Sequence, residues 1–396
     1  MKYIDLFSGC GGLALGLHKA GFKGVFAIEK NKDAFATLKH NLIDQSSNFD
    51  WPSWLPISHH DINDVIERHQ SELISLRGEI KLLAGGPPCQ GFSMAGRRQE
   101  NDFRNKLIDS YIKFVDLVQP DVIFFENVKG FTIGFKGANK RGEAYSIYVV
   151  NKLKSLGYDV EGKIIDFSEF GIPQKRQRFI LVGTKTGLAK DFFDKLLLSR
   201  ECFLKSKGIG TNKVSLGDAL SDLLQQHGQD TCLDSSNFMA GKYSAVKSPY
   251  QKLMRAGTKL TGKVANSHRF AKHKTATIDK FQEILKSEQR NKNISDLIRT
   301  KYNLRKHTIV PLSESGQAPT LTTLPDDYIH YQEPRILTVR EYARIQSFPD
   351  TYEFKGSYTT GGERRKIDVP RYTQIGNAIP PLFAEQAGNV LRDMLL

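Results

Sequence analysis

Cysteine is scarce in this 396-residue chain, and the four that occur, Cys10, Cys89, Cys202 and Cys232, form no C-x-x-C pair. That spacing argues against a zinc knuckle and against a secreted disulfide framework, and no metal site is expected. A reducing, cytoplasmic setting fits it. Long apolar runs are also missing, so no segment reads as membrane-spanning. Lys2 and the apolar residues after it imitate a signal peptide, but Asp5 and the glycines behind it break the pattern. No internal repeat or low-complexity tract is visible. Acidic residues are in deficit, 43 against 57 Lys and Arg, for a formal net charge of +14. An excess of this size suits a polyanion, because cations that neutralise phosphates release counterions. A solvated basic surface without a partner is the competing explanation.

What is present is a rhythm. Short apolar runs at 3–7, 25–28, 81–84, 122–125 and 179–182 alternate with helical patterns. Alternation of this kind predicts a mostly parallel sheet with helices on both faces. In such sheets ligands bind beyond the carboxyl ends of the strands. Four successive strand ends carry suitable residues: Ser8-Gly9-Cys10-Gly11-Gly12, Glu29, Gly86-Pro87-Pro88-Cys89 and Glu126-Asn127-Val128. From about residue 188 to 327 the rhythm gives way to a polar, basic stretch that reads as a second, irregular module. Helical pattern returns at 338–345 and 382–395.

Each strand end has its own chemistry. The glycines of Gly9 to Gly12, between a strand and a helix, permit close backbone approach to a ligand. Glu29 can accept both hydroxyls of a ribose. Together they indicate a nucleoside cofactor, with NAD, FAD and S-adenosylmethionine all open. Asp61 could receive an adenine amine or could cap a helix. Cys89, held in a turn stiffened by Pro87 and Pro88, is better placed as a nucleophile than as core filler. The polar segment behind it, with Ser93, Arg97, Arg98 and Arg104, reads as a loop able to meet phosphates. Glu126, at the lip of a buried strand, suits general acid work. If residues 174–178 are extended, Gln174, Arg176 and Arg178 share one face, a costly arrangement unless they are paired or grip an anion.

In this order the stretches resemble the DNA (cytosine-5) methyltransferase family, chiefly its bacterial modification enzymes. The likeness runs from Asp5-Leu6-Phe7-Ser8-Gly9 to Gln374-Ile375-Gly376-Asn377-Ala378-Ile379-Pro380. Arg340-Glu341, Ala343-Arg344, Gln346 and Phe348-Pro349 look like the family's penultimate motif. The resemblance implies an α/β, Rossmann-like S-adenosylmethionine-dependent domain and a smaller, irregular, mostly β target-recognition domain. The expected bounds are 1–187 for catalysis, 188–368 for recognition (with the penultimate motif at 338–349) and 369–396 returning to the catalytic domain. Phe7 would stack on the cofactor adenine, Gly9, Gly11, Gly12 and Leu13 would line its methionine end, and Glu29 would hold its ribose. Asp61 and Ile62 would meet the adenine, with Pro88, Asn377 and Ala378 completing the pocket. Cys89 would attack the base, Glu126 would meet cytosine N3 and N4, and Arg178 would donate to O2, supported by Gln174 and Arg176. Ser93, Arg97 and Arg104 would touch DNA. Lys30 departs from the aromatic residue many relatives carry, and His60 from their glycine. The implied partner is double-stranded DNA, with a separate restriction endonuclease as a companion and a monomer as the working form. Two alternatives compete: a tRNA-directed member, whose Cys-Phe-Thr signature is approached only by Cys202-Phe203-Leu204, and a catalytically silent DNA-binding regulator.

Overall fold

The computed structural model describes residues 1–88, 106–133, 144–256, 258–359 and 368–396. These divide into two compact units, each assembled from separate stretches of chain. The first comprises 1–166, 177–200 and 383–396, and the second 167–176 and 201–382.

The first unit is built on a sheet of β1 (Lys2–Leu6), β2 (Lys23–Ile28), β3 (Ile80–Gly85), β4 (Val122–Val128), β5 (Asp159–Asp166) and β6 (Gln177–Thr184). Among the described residues its order is β2-β1-β3-β4-β6-β5. The pairs β1–β2, β1–β3 and β3–β4 are parallel, while β6 runs antiparallel to both β4 and β5. The expected α/β, Rossmann-like architecture is therefore present. The five anticipated runs are β1, β2, β3, β4 and β6, and β5 is an addition. The inner strands are apolar because helices cover both faces. Tyr3, Ile4, Leu6, Leu82, Leu83 and Phe124 are wholly buried.

Two glycines bring the C-terminal helix Pro381–Leu395 against the helix Gly12–Lys19. A Cβ on Gly16 would stand 2.3 Å from that of Ala384, and one on Gly388 would stand 2.7 Å from that of Ala20. Arg392 Nη1 donates to the Ala20 carbonyl at 2.8 Å, satisfying a helix end.

The second unit is irregular, with short helices as well as strands. β7 (Gln229–Cys232), β8 (Ser235–Lys242) and β9 (Val264–Arg269) form an antiparallel sheet, and β10 (Val310–Pro311) pairs in parallel with β11 (Tyr328–Ile329). Its centre is the buried helix Val339–Ile345, opened by a capping box between Thr338 and Glu341. Arg344 donates to both carboxyl oxygens of Asp350 at 2.6 Å and to Asp222 at 3.1 and 3.2 Å. Arg335 grips Glu341 at 2.7 and 2.8 Å and holds that carboxyl well below its ordinary range against the opposing effect of burial. Such buried networks specify an arrangement more than they stabilise it, yet removing one member leaves a costly orphan charge.

Candidate active site

The turn after β1 is shaped by residues that accept a left-handed backbone. Phe7, Gly9 and Gly11 have φ of 56°, 54° and 85°, and Gly11 opens the helix that holds Gly12 and Leu13. Glu29, just beyond β2, locks this turn. Its Oε2 accepts from the Gly9 amide at 2.9 Å and its Oε1 from the Asn31 amide at 2.7 Å. Burial raises its pKa, and these backbone bonds oppose the rise. A carboxylate offers about four acceptor positions, and the backbone amides do not use all of them, so the carboxyl can still accept a ribose hydroxyl.

Asp61 follows a turn rather than a strand. It caps the helix Ile62–Arg68 by accepting from the Asn63 amide at 2.9 Å, and it pairs with Lys30 at 2.8 Å. The helix-cap alternative is thus realised, and Lys30, placed where relatives often carry a ring, is Asp61's charge partner. The His60 amide donates to the Glu29 carbonyl at 2.8 Å and ties this edge to β2.

Close backbone approaches join the next strand ends. A Cβ on Gly85 would lie 1.9 Å from the Leu6 carbonyl oxygen, and one on Gly86 would lie 1.8 Å from that of Glu126. No side chain fits at either place. Asn127 Nδ2 donates to the Pro87 carbonyl at 3.3 Å. The Gly86-Pro87-Pro88 turn is therefore seated on the end of β4, beside Glu126. Across the antiparallel step to β6, Arg178 pairs with Val128, and its Nε meets Glu126 Oε1 at 3.0 Å, with both side chains mostly buried. Burial lowers the guanidinium's pKa and Glu126 opposes it. Cys89, Ser93, Arg97 and Arg104 lie outside the described residues.

The expected same-face row is corrected by the structure. β6 starts at Gln177, so only Arg178 belongs to it. Pro173 lacks the amide a strand ladder needs, and the Gln174 amide turns back to the Ile172 carbonyl. Gln174 and Arg176 are buried in the second unit instead. Gln174 Nε2 donates to Gln346 Oε1 at 2.9 Å, and its Oε1 accepts from the Leu321 amide at 2.8 Å. Arg176 Nη2 donates to the Ala378 carbonyl at 3.3 Å, an oxygen that also accepts from Gln346 Nε2 at 3.3 Å. Gln346 thereby links Gln174 to the Asn377-Ala378 turn, a role not visible in its motif.

One further residue went unnoticed as a site group. Asp5 in β1 is wholly buried, and neither carboxyl oxygen finds a hydrogen-bond partner among the described residues. Burial, aided by the nearby Glu29, raises its pKa well above the ordinary value. A charge inside an apolar run was the signal.

Parallel-sheet strand ends, a carboxylate-locked glycine turn and a glutamate–arginine pair beside a proline turn are thus gathered within the first unit. The model of C-5 cytosine-specific DNA methylases matches residues 1–392, and the chain belongs to that family: it is a DNA (cytosine-5-)-methyltransferase, and a methyl donor is part of its chemistry. It is 30% identical to the type II methyltransferase M.DdeI of Desulfomicrobium norvegicum over 97% of this chain and 87% of that one. It is 31% identical to M.PspPI of a Psychrobacter species over 99% and 79%. Among solved structures, a protein described as a DNA modification methyltransferase encoded within a prophage (E. coli) aligns with TM-score 0.68 and 22% identity, over 100% of this chain and 99% of that one. The S. pombe Dnmt2 methyltransferase aligns at 0.53 and 17%, over 99% and 98%. These two show a shared fold.

Proposed function

We propose that the chain is the modification enzyme of a restriction–modification system, working in the cytoplasm as a monomer on double-stranded DNA beside a separate endonuclease, with S-adenosylmethionine as donor and Cys89 as nucleophile. The observation that carries the residue assignment is the Glu126–Arg178 pair at 3.0 Å, seated against the turn that leads to Cys89. The names of the type II relatives support the biological role.

The residues present fit the donor. Glu29 retains acceptor capacity for a ribose, and the left-handed turn at Gly9 and Gly11 gives a ligand bare backbone to approach. Phe7, Leu13, Asp61, Ile62, Pro88, Asn377 and Ala378 complete its contacts in this reading. When bound, the donor supplies an electrophilic methyl. The chain's own residues do the rest. The target cytosine leaves the duplex at a cost of roughly a few kcal/mol. The Cys89 thiolate adds to C6 and pushes an electron pair towards C5, while Glu126 delivers a proton to N3. Arg178 donates to O2 and holds Glu126 in place, with Gln174 and Arg176 in support. Once C5 carries the methyl, loss of its proton to a base, departure of the thiolate and return of the N3 proton to Glu126 restore the ring. Ser93, Arg97 and Arg104 hold the phosphates. In this reading 1–187 is catalytic, 188–368 reads the DNA, and 369–396 returns to the catalytic part.

The test is bisulfite sequencing of plasmid from cells that lack cytosine methylation and express the chain or its Cys89→Ala variant. Protection confined to one short sequence context, absent with Cys89→Ala while the purified variant still binds that duplex, is the expected result. Residual turnover above about a few per cent in Cys89→Ala, against losses on the order of a millionfold when an acting nucleophile is removed, would sink the nucleophile assignment.

A further inference from the structure

On the antiparallel sheet of the second unit, β9 reaches Arg269 through an irregularity. Ala240 of β8 pairs with Arg269 but Lys242 pairs with Val264, so β9 carries extra residues between the two pairs. Ser267, within that excess, is buried at φ 58°. A backbone of this kind is strained and persists where its surroundings over-determine it. Here they do. Arg371 Nη1 donates to Ser267 Oγ at 3.2 Å, the Ser267 hydroxyl donates to Asn266 Oδ1 at 2.7 Å, and Arg340 Nε donates to the Asn266 carbonyl at 2.9 Å. Bulges re-aim side chains, and the side chain re-aimed here is Arg269.

Its guanidinium rests on two rings, 4.2 Å from the centroid of Phe238 and 3.7 Å from that of Tyr358. The acid nearby is already taken: Asp234 binds Arg371 at 2.5 Å and the Tyr358 hydroxyl at 2.7 Å. Among the described residues, Arg269 makes one long hydrogen bond, from Nη1 to Ser235 Oγ at 3.4 Å, and no ion pair. The side chain is only half-buried. A stacked guanidinium has a fixed plane, and this one keeps its charge and most of its donors open. That is a preorganised fork, built at the expense of backbone strain.

We infer that Arg269 reads a guanine of the recognition sequence, donating in bidentate fashion to O6 and N7 at the major-groove edge. The inference rests on the chain's action on duplex DNA and adds the residue that helps set its sequence preference. Every substrate duplex offers a guanine, at the least the one opposite the target cytosine.

The test is steady-state methylation of synthetic duplexes carrying the methylated sequence, with 7-deazaguanine replacing each guanine in turn. The wild-type protein should lose roughly ten- to hundredfold in kcat/KM at one position. Arg269→Ala should show a loss of that size on the unmodified duplex and no further loss from 7-deazaguanine there. Arg269→Lys, which keeps the charge but not the fork, should resemble Arg269→Ala. Wild-type protein indifferent to 7-deazaguanine at every position would overturn the inference without need of a variant. So would full rescue by Arg269→Lys, which would show that no guanidinium fork is needed, or an Arg269→Ala protein that weakens all duplexes equally, which marks a phosphate contact. A wild-type protein that methylates no duplex would overturn the parent reading, and this one with it.

Discussion

Glu126 and Arg178 illustrate how much one register decides. The carboxylate lies on β4 and the guanidinium on β6, and they meet because the antiparallel ladder sets Arg178 opposite Val128, two residues beyond Glu126. Glu126→Gln keeps the shape and removes both the charge and the transferable proton. Single-turnover methylation should fall by on the order of 10²–10⁴, the usual worth of a general acid, while duplex binding stays within about twofold. An unchanged rate would remove Glu126 from the proton-transfer role. At this scale the sequence was informative where chemistry and local geometry coincide. Glu126 stood at the end of an apolar run, and Glu29 at the end of another. Pairings between distant residues were not legible. Nothing in the chain order announces that Lys30 neutralises Asp61, or that Gln346 joins Gln174 to Ala378.

Strands buried on both faces were the easiest elements to see, because each is a continuous apolar run. β5 escaped for the opposite reason. It lies at the sheet's end and is half-exposed, and Glu161, Gly162 and Lys163 dilute its pattern. The residues before β6 misled because the alternation was carried back to Gln174, whereas the strand begins only at Gln177. β1 makes a sharper statement, since it buries the Asp5 carboxyl without a partner among the described residues. Its raised pKa means that the folded protein holds a proton the unfolded chain releases above about pH 3.9. A raised carboxyl pKa costs stability as pH rises from the unfolded value towards the folded one, by about 1.4 kcal/mol per unit. Asp5→Asn keeps the shape without the proton. Thermal melts should show little difference between wild type and Asp5→Asn near pH 4, and a variant increasingly the more stable towards pH 8. A difference independent of pH would mean that Asp5 ionises normally in the folded state.

At the scale of the whole molecule, two compact units drawn from interleaved stretches of chain carry a net charge of +14. Charge alone left a nucleic-acid partner and a solvated surface both open, and the family membership decides for DNA. What remains measurable is how far the charge acts in binding. Lys and Arg that neutralise phosphates release counterions, so log K should fall linearly with log salt. With some six to ten phosphate contacts, affinity for the cognate duplex should drop by about 10³–10⁵ between 50 and 200 mM salt. Affinity for S-adenosylmethionine, the proposed donor, should change far less over that range if local contacts rather than phosphate neutralisation hold it. Fluorescence anisotropy for the duplex and calorimetry for the cofactor would give both curves on one preparation. If the duplex curve is steep and the cofactor curve flat, the positive surface is the phosphate grip. If both are flat, the basic residues are solvated bystanders, and affinity must come from base contacts such as the one assigned to Arg269. If both fall together, salt is acting on the fold, and the duplex slope says nothing about phosphates.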